Sequence, residues 1–473
     1  MGKKKAKSKV GLRPPIVTLL GHVDHGKTTL LDFIRKTNVV KKEAGGITQS
    51  IGASVVTTKE GKKITFIDTP GHAVFSKMRA RGAKIADIAI LVVASDDGVK
   101  PQTREALEYI FSTKLPFIVA ATKTDLSTAS VENVRKELEQ EQVRFEKQGG
   151  EVPLIAVSVK EGNGVENLLE MIILVSEFNE IAADRKNKLD ALVVETTKSK
   201  AGPLVNLVVR DGVLHLGDEI IAGGVKAKVK GLFDNKGDRK KEIEPGEPAQ
   251  VLGFSELPEV SSSVVKVSDH ASLDRKEKKP IVKVAGVGKY PILVKAQNAG
   301  SLEALISNLP DGANLIDSSV GDVTESDVLL AKSVSADIYV FESKASSSAL
   351  RLAKTEGVSV YSFDIIYELF EKLEEIMEGD KQQVIGKAEI MRIFPFNKKK
   401  VAGCKVVEGV ISKQGPLLLS RKDKKLGKVR IVTMKREKEK IREAKQGETC
   451  GIIFTPQLEF AIGDMLISLR KKK

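Results

Sequence analysis

Eight residues near the start of the chain have the types and spacing to hold a polyphosphate: Gly21-His22-Val23-Asp24-His25-Gly26-Lys27-Thr28. The two glycines let backbone N–H groups turn inward onto phosphate oxygens. A helix starting at Lys27 would add partial positive charge at its N-terminus. Lys27 can reach the β- and γ-phosphates, and the Thr28 hydroxyl can ligate Mg²⁺. The apolar run Ile16 to Leu20 precedes the loop, and Leu30, Leu31, Phe33 and Ile34 follow it at helical spacing. Strand, glycine loop and helix in that order separate this pattern from a chance glycine-rich turn.

Four more short motifs suit the same ligand. In Asp68-Thr-Pro-Gly71-His72, a carboxylate at a strand end can hold Mg²⁺, and Gly71 leaves room for a backbone N–H to meet a γ-phosphate. His72 then lies close to an attacking water, whereas a lone histidine would read as ordinary surface. In Thr122-Lys123-Thr124-Asp125, the Asp125 carboxylate can accept the N1–H and 2-amino hydrogens of guanine. Adenine offers no such pair and would leave a charge unmet. The Lys123 stem can pack over the base. Ser158-Val159-Lys160 can supply backbone N–H to the guanine oxygen, although the tripeptide alone is a weak signal. Glu43-Ala-Gly-Gly-Ile-Thr48-Gln can close on the nucleotide, with the Thr48 hydroxyl reaching Mg²⁺ only while a γ-phosphate is present.

The elements that must position these groups alternate in type. From residue 14 to 181, short β-rich runs at 64–67, 88–93, 116–121 and 153–157 alternate with helical periodicity at 102–113, 131–147 and 165–178. That alternation predicts a mostly parallel sheet covered by helices, with ligands at the carboxyl ends of the strands. Residues 187–267 read as short strands with glycine turns, a small antiparallel β-barrel. A charged, serine-containing linker follows at 268–279. Alternation returns at 280–379, where Thr324 to Asp327 predicts a helix-starting capping box and 365–377 an amphipathic connecting helix. This α/β/α domain carries no phosphate loop or catalytic cluster. Residues 386–473 are β-like again, a C-terminal β-barrel with basic clusters at 398–400, 421–425 and 435–436.

Composition narrows the setting. The 473 residues suffice for several cores, and net charge is +14. The stretch 387–473 holds 23 Lys and Arg against 9 Asp and Glu, so it carries the whole excess. A module that faces RNA phosphates fits that asymmetry, as does a solvated hairpin tip for 421–425. Residues 1–13 read as a basic, disordered arm, and nothing there has the apolar core of a secretory signal. No apolar run of about 18 residues exists, so no membrane partner is expected. Two cysteines outside any CxxC pair exclude a disulfide framework and make a reducing cytoplasm the default. A monomer is expected.

The motifs Gly21-His-Val-Asp-His-Gly-Lys-Thr, Glu43-Ala-Gly-Gly-Ile-Thr-Gln and Asp68-Thr-Pro-Gly-His resemble those of the translational GTPases. The domain order, together with Val251-Leu-Gly-Phe, Gly300-Ser-Leu-Glu-Ala-Leu, Gly321-Asp-Val-Thr-Glu-Ser-Asp-Val, Val401-Ala-Gly-Cys and Met434-Lys-Arg, is similar to bacterial translation initiation factor two. The resemblance implies a multidomain α/β and all-β chain: P-loop GTPase domain, β-barrel, α/β/α sandwich and C-terminal β-barrel. It also implies a GTPase, with GTP and Mg²⁺, that brings initiator formylmethionyl-tRNA to the small ribosomal subunit. The factor then promotes joining of the large subunit and hydrolyses GTP on the ribosome, with His72 orienting water. Cys404, Lys435, Arg436, Cys450 and Gly451 stand where that family binds the tRNA. Thr122 replaces a usual Asn and Ser50 a usual His. Glu437 and Thr449 stand where an aromatic residue and a Glu are usual.

Overall fold

The computed structural model describes residues 11–37, 49, 51–146, 149–269, 290–379, 382–396, 399–413, 415–421, 424–436, 439–456 and 458–471. The expected Mg²⁺ contact at Thr48, the linker beyond Asp269, Ser50 and Glu437 lie outside the described residues. Two compact units divide the chain, 1–369 and 370–473. The division falls inside the helix Ile366–Gly379 rather than after it.

The amino-terminal domain is a six-stranded sheet in the order Gly52–Thr57, Lys63–Asp68, Ile16–Gly21, Ile88–Ala94, Phe117–Thr122, Leu154–Ala156. All neighbours are parallel except the antiparallel edge strand Gly52–Thr57. Ile16–Gly21 and Ile88–Ala94 are buried throughout because helices cover both faces. One face packs Val17, Leu19, Ile90 and Val92 against Leu30, Leu31, Leu168 and Ile172. The other packs Leu91 and Val93 against Ala106, Leu107, Ile110 and Leu138. The helix expected over 131–147 stops at Gln140. Gln142 then takes a left-handed φ of 68°, and Val143 and Phe145 turn inward as core rather than as a continuing helical face.

Residues 11–13 do not belong to a disordered arm. Gly11–Leu12 pairs with Ala182–Ala183, and the Arg13 guanidinium grips both oxygens of Asp87 at 2.6 and 2.8 Å. A charge run signals disorder when no partner is visible in sequence. Here the partner lies 74 residues away, and a bidentate Arg–carboxylate pair is the strong form of that contact.

Six antiparallel strands close a barrel in the order Gly202–Asp211, Pro248–Phe254, Val225–Phe233, Glu219–Ala222, Ser263–Lys266, Asp190–Ser199. The third domain has a four-stranded parallel sheet, Ala313–Val320, Tyr290–Ala296, Asp337–Phe341, Val360–Phe363. Its Glu325–Ser333 helix starts with the capping box of Thr324 and Asp327, which also takes the buried Lys295 ammonium at 2.9 Å. In the second unit, Gln382–Phe396 pairs with both Met465–Lys471 and Lys399–Ser412, so the strand path returns on itself. Its core includes Ile390, Leu417, Ile452 and Phe454. Among the described residues no helix is long and apolar enough to cross a membrane.

The Asp190–Ser199 strand buries Glu195 against the start of the Ala299–Ser307 helix. One Glu195 oxygen accepts from Thr196 N–H at 2.8 Å and Gly300 N–H at 3.2 Å. The other, Oε2, is buried without a protein partner. Burial pushes the carboxyl from 4.5 up to about 7, against the pull of those N–H groups and of Arg81. The folded state therefore holds the proton more tightly than the unfolded chain, and stability falls as pH rises from about 4.5 to about 7. The span corresponds to about 3 kcal/mol. Glu195→Gln is expected to flatten that slope in thermal melts taken between pH 5 and 8.

Candidate functional site

The phosphate loop turns where the chain leaves Ile16–Gly21. Gly21 has φ 145°, and a Cβ there would sit 2.3 Å from the Val92 carbonyl oxygen. Only glycine lets the loop pass that close to the neighbouring strand. Asp24 and Gly26 are left-handed, at φ 62° and 85°, and the helix Lys27–Arg35 begins directly after. The Lys27 ammonium is buried and donates to the Gly21 carbonyl at 3.0 Å and the His22 carbonyl at 2.5 Å. Burial pulls its pKa down to about 8, with Asp68 opposing. An anion at the loop would hold the charged form.

Not every loop group faces a ligand. The Val23 N–H donates to Gln102 Oε1 at 2.8 Å, so the next helix but one fastens the loop. His25 is buried, with Nδ1 3.4 Å from the Val92 carbonyl. Burial and the neighbouring His22 push it down to about 4, so the ring is neutral at pH 7. His22 meets it edge-on at 5.1 Å. Thr28 heads the helix beside Lys27.

Asp68 ends the Lys63–Asp68 strand and is buried; its Oδ1 has no protein hydrogen-bond partner. Burial raises its pKa to about 6. A buried orphan carboxylate oxygen and a hydroxyl at a helix start are the oxygen donors that Mg²⁺ takes alongside phosphate oxygens. No group of three or more His, Cys, Asp or Glu among the described residues makes an all-protein metal cage. Gly71 packs on the loop so closely that a Cβ would lie 2.5 Å from Lys27 Nζ.

His72 is half-buried. Its Nδ1 lies 3.2 Å from the Tyr367 hydroxyl, and its Nε2 is buried without a protein partner. Burial lowers its pKa, and the Lys27 ammonium lowers it further; Asp24, Arg79 and His22 are its other ionisable neighbours. Arg79, fully buried, holds the segment from behind. Its guanidinium donates to the Pro70 carbonyl at 3.3 Å, to Gly71 at 3.1 Å and to His72, and pairs with Glu105 at 2.7 Å. Arg79→Met strands Glu105 and three carbonyls together. It is expected to cost about 3–5 kcal/mol, read as a lower melting temperature of the first unit.

The Thr122-to-Asp125 motif follows the Phe117–Thr122 strand. The Thr122 hydroxyl donates to the His25 carbonyl at 2.7 Å and so ties the base-side strand to the phosphate loop. Lys123 takes φ 57°, with its ammonium 3.9 Å from Asp96. Thr124 N–H reaches the Val157 carbonyl at 3.4 Å. Asp125 receives the Ser158 hydroxyl at 2.9 Å, and Lys160 Nζ lies 4.0 Å from its other oxygen. Ser158 differs from its expected part. Its N–H donates to the Asn163 carbonyl at 3.0 Å, so its contribution is the hydroxyl on Asp125. Val159 packs against the core.

The C-terminal positions come together in register. Cys404 faces Cys450 across the pair Lys399–Ser412 and Thr449–Thr455, Gly403 faces Gly451, and Lys435 faces Gly451 from the other side. Both thiols are buried, and burial pushes them up, Cys450 to about 11. Both belong to the core cluster of this unit. Arg436 pairs with Glu448. Arg421 pairs with the buried Asp464 at 2.8 Å, while Lys422 and Asp423 lie outside the described residues. Arg79, Gln102 and Tyr367 carry no local motif and are not legible in the sequence as site residues; Gln49 belongs to the 43–49 motif, which gives no sign of its contacts.

Residues 13–177 match the elongation factor Tu GTP binding domain. Residues 188–267 match elongation factor G domain 2, and 266–374 match translation-initiation factor 2. Translation initiation factor IF-2 of Thermoanaerobacter sp. (strain X514) is 40% identical over 93% of this chain and 68% of its own. The chain belongs to the IF-2 family. IF-2 of Persephonella marina is 40% identical over 96% of this chain, and IF-2 of Aquifex aeolicus 38% over 96%. The chain spans 55% and 60% of the length of those two relatives. Among solved structures, GDP-bound aIF5B from Aeropyrum pernix is 27% identical over 97% of this chain and 92% of its own, with a TM-score of 0.47. Residues 13–177 thus form a GTP-binding domain of the elongation factor Tu type, and its loop, Asp68 strand end and Asp125 turn lie at one end of one sheet.

Proposed function

We propose that this IF-2 family member is a GTPase that brings initiator formylmethionyl-tRNA to the small ribosomal subunit. It then promotes joining of the large subunit and hydrolyses GTP on the assembled ribosome. The supporting observation is the position of His72: half-buried, its Nε2 without a protein partner, with Lys27, Asp24 and His22 of the phosphate loop around it.

In this reading, Asp125 accepts from the guanine base, Ser158 holds Asp125 in place, and Val159 and Lys160 border the guanine oxygen. Gly21, Gly26 and the loop N–H groups cradle the phosphates, and Lys27 neutralises charge on the β- and γ-oxygens. Thr28 and Asp68 would hold Mg²⁺, with Thr48 joining while the γ-phosphate is present. Bound there, Mg²⁺ would supply neutralisation of the phosphate charge. His72 Nε2 orients the attacking water. Lys435, Arg436 and Gly451 meet the acylated end of the tRNA, and Cys404 and Cys450 support that surface from within. The protein acts as a cytoplasmic monomer.

Ribosomes are expected to raise GTP turnover at least roughly tenfold, a floor set below the about 10²- to 10⁴-fold that one positioned proton-transfer group supplies. Equal turnover with and without ribosomes overturns the reading in favour of a GTP-gated RNA-binding protein.

A further inference from the structure

We infer that Tyr367 is the positioning residue of His72: its hydroxyl oxygen accepts the Nδ1 hydrogen, which leaves Nε2 as an acceptor for the attacking water. This rests on the reading of His72 as the water-orienting group.

Three observations converge on it. The Tyr367 oxygen is 3.2 Å from Nδ1, and the rings meet edge-on with centroids 5.3 Å apart at 69°. The opposite nitrogen, Nε2, is buried and has no protein partner, so the ring spends only one of its two polar atoms on the protein. Tyr367 is itself held. It sits in the first turn of the helix Ile366–Gly379, and that turn is clamped by Gln49, which is 3% exposed. The Gln49 amide donates to the Asp364 carbonyl at 2.7 Å and accepts from Ile366 N–H at 3.3 Å.

A neutral imidazole carries one hydrogen, and the partner of one nitrogen decides the role of the other. Tyr367 is 37% exposed, so its own O–H can donate to solvent while its oxygen accepts from Nδ1. Were the hydroxyl to donate instead, Nε2 would carry the hydrogen and could not accept one from water. With the hydroxyl oxygen as acceptor, the tyrosine stands to His72 as a carboxylate stands to a triad histidine: it holds the Nδ1–H form and fixes the ring plane. Its chain position, 295 residues from His72, places the selection in another domain of the first unit.

The test uses the full chain with ¹⁵N-histidine labelling at pH 8. Five histidines make the two-bond ¹H–¹⁵N spectrum assignable, with His72→Ala identifying the signal. The wild-type His72 signal is expected to show the Nδ1–H form, and Tyr367→Phe is expected to shift it toward the Nε2–H form that free histidine favours. On ribosomes, Tyr367→Phe is expected to lower kcat for GTP about tenfold with unchanged GTP affinity, as a lost orientation effect does. An Nε2–H signal in the wild type overturns the inference. So does Tyr367→Phe with wild-type spectrum and kcat. If His72→Ala itself keeps full ribosome-stimulated turnover, the reading of His72 fails instead. The spectrum still judges the Tyr367 contact independently.

Discussion

Asp125→Asn is expected to turn this domain from guanosine toward xanthosine nucleotides. The Asp125 side chain is 11% exposed, and the Ser158 hydroxyl holds one oxygen at 2.9 Å. In the proposed base site this carboxylate accepts two hydrogens from guanine, each a charge-assisted bond of roughly 2 kcal/mol. Xanthine presents a carbonyl where guanine has its amino group. An Asn amide can donate to that carbonyl and still accept one hydrogen. The amide keeps one neutral bond to guanine, loses the other and turns its own N–H toward a guanine donor, which corresponds to about 10²-fold weaker GTP binding, and XTP binding should rise while melting temperature stays near that of the wild type. Titration of both triphosphates by calorimetry reads the outcome. Unchanged GTP affinity would remove Asp125 from the base site.

His72→Ala is expected to lower ribosome-stimulated GTP turnover by about 10³-fold, within the range for a positioned proton acceptor. The GTP dissociation constant should not change, because the ring has no role in holding the phosphates or the base. Arg79 still binds the Pro70 and Gly71 carbonyls in the variant, so the backbone of the segment keeps its course. Single-turnover phosphate release separates this from a binding defect: the amplitude is preserved and the rate falls. A loss of amplitude would mean that the substitution disturbs the loop rather than the chemistry.

The chemistry of the first unit was legible because each part is local. A phosphate loop needs its glycines within a few residues of its lysine, and a base-reading turn needs its carboxylate directly after a strand. The barrel and the third domain were legible as alternating or turn-rich stretches. What escaped has three physical causes. The edge strand Gly52–Thr57 is made of small and β-branched residues without a clear buried face, so no period of two marks it. The strand Ala313–Val320 and the helix Ser347–Glu356 show no clear period because mixed polar residues dilute their apolar spacing. The helix at 131–140 was overextended because Val143 and Phe145 continue a plausible apolar count after the backbone has turned. The contacts of Gln49, Arg79 and Tyr367 are tertiary. Gln49 meets residues 315 and 317 positions away, and no window along the chain contains both partners.

Thr122 stands where family usage has an Asn, a replacement that the sequence alone connects only with the base. In the fold its hydroxyl is committed to the His25 carbonyl, which makes it a tie between two parts of the site. Thr122→Asn therefore changes the geometry of the loop as well as the polarity beside the base.

The Gly300 joint has a consequence for how such a chain can vary. A methyl at Gly300 would fall 2.6 Å from Glu195 Oε2 and 2.6 Å from the Met78 methyl, where the first domain, the barrel and the third domain converge. Positions 78, 195 and 300 are thus a single steric unit spread over three domains. A side chain at 300 is accommodated only if the Glu195 carboxylate and the Met78 thioether end swing aside or are exchanged. A chimera that takes its third domain from a distant relative should inherit the defect at this seam, and its repair should come from Glu195 or Met78 rather than from within the grafted segment.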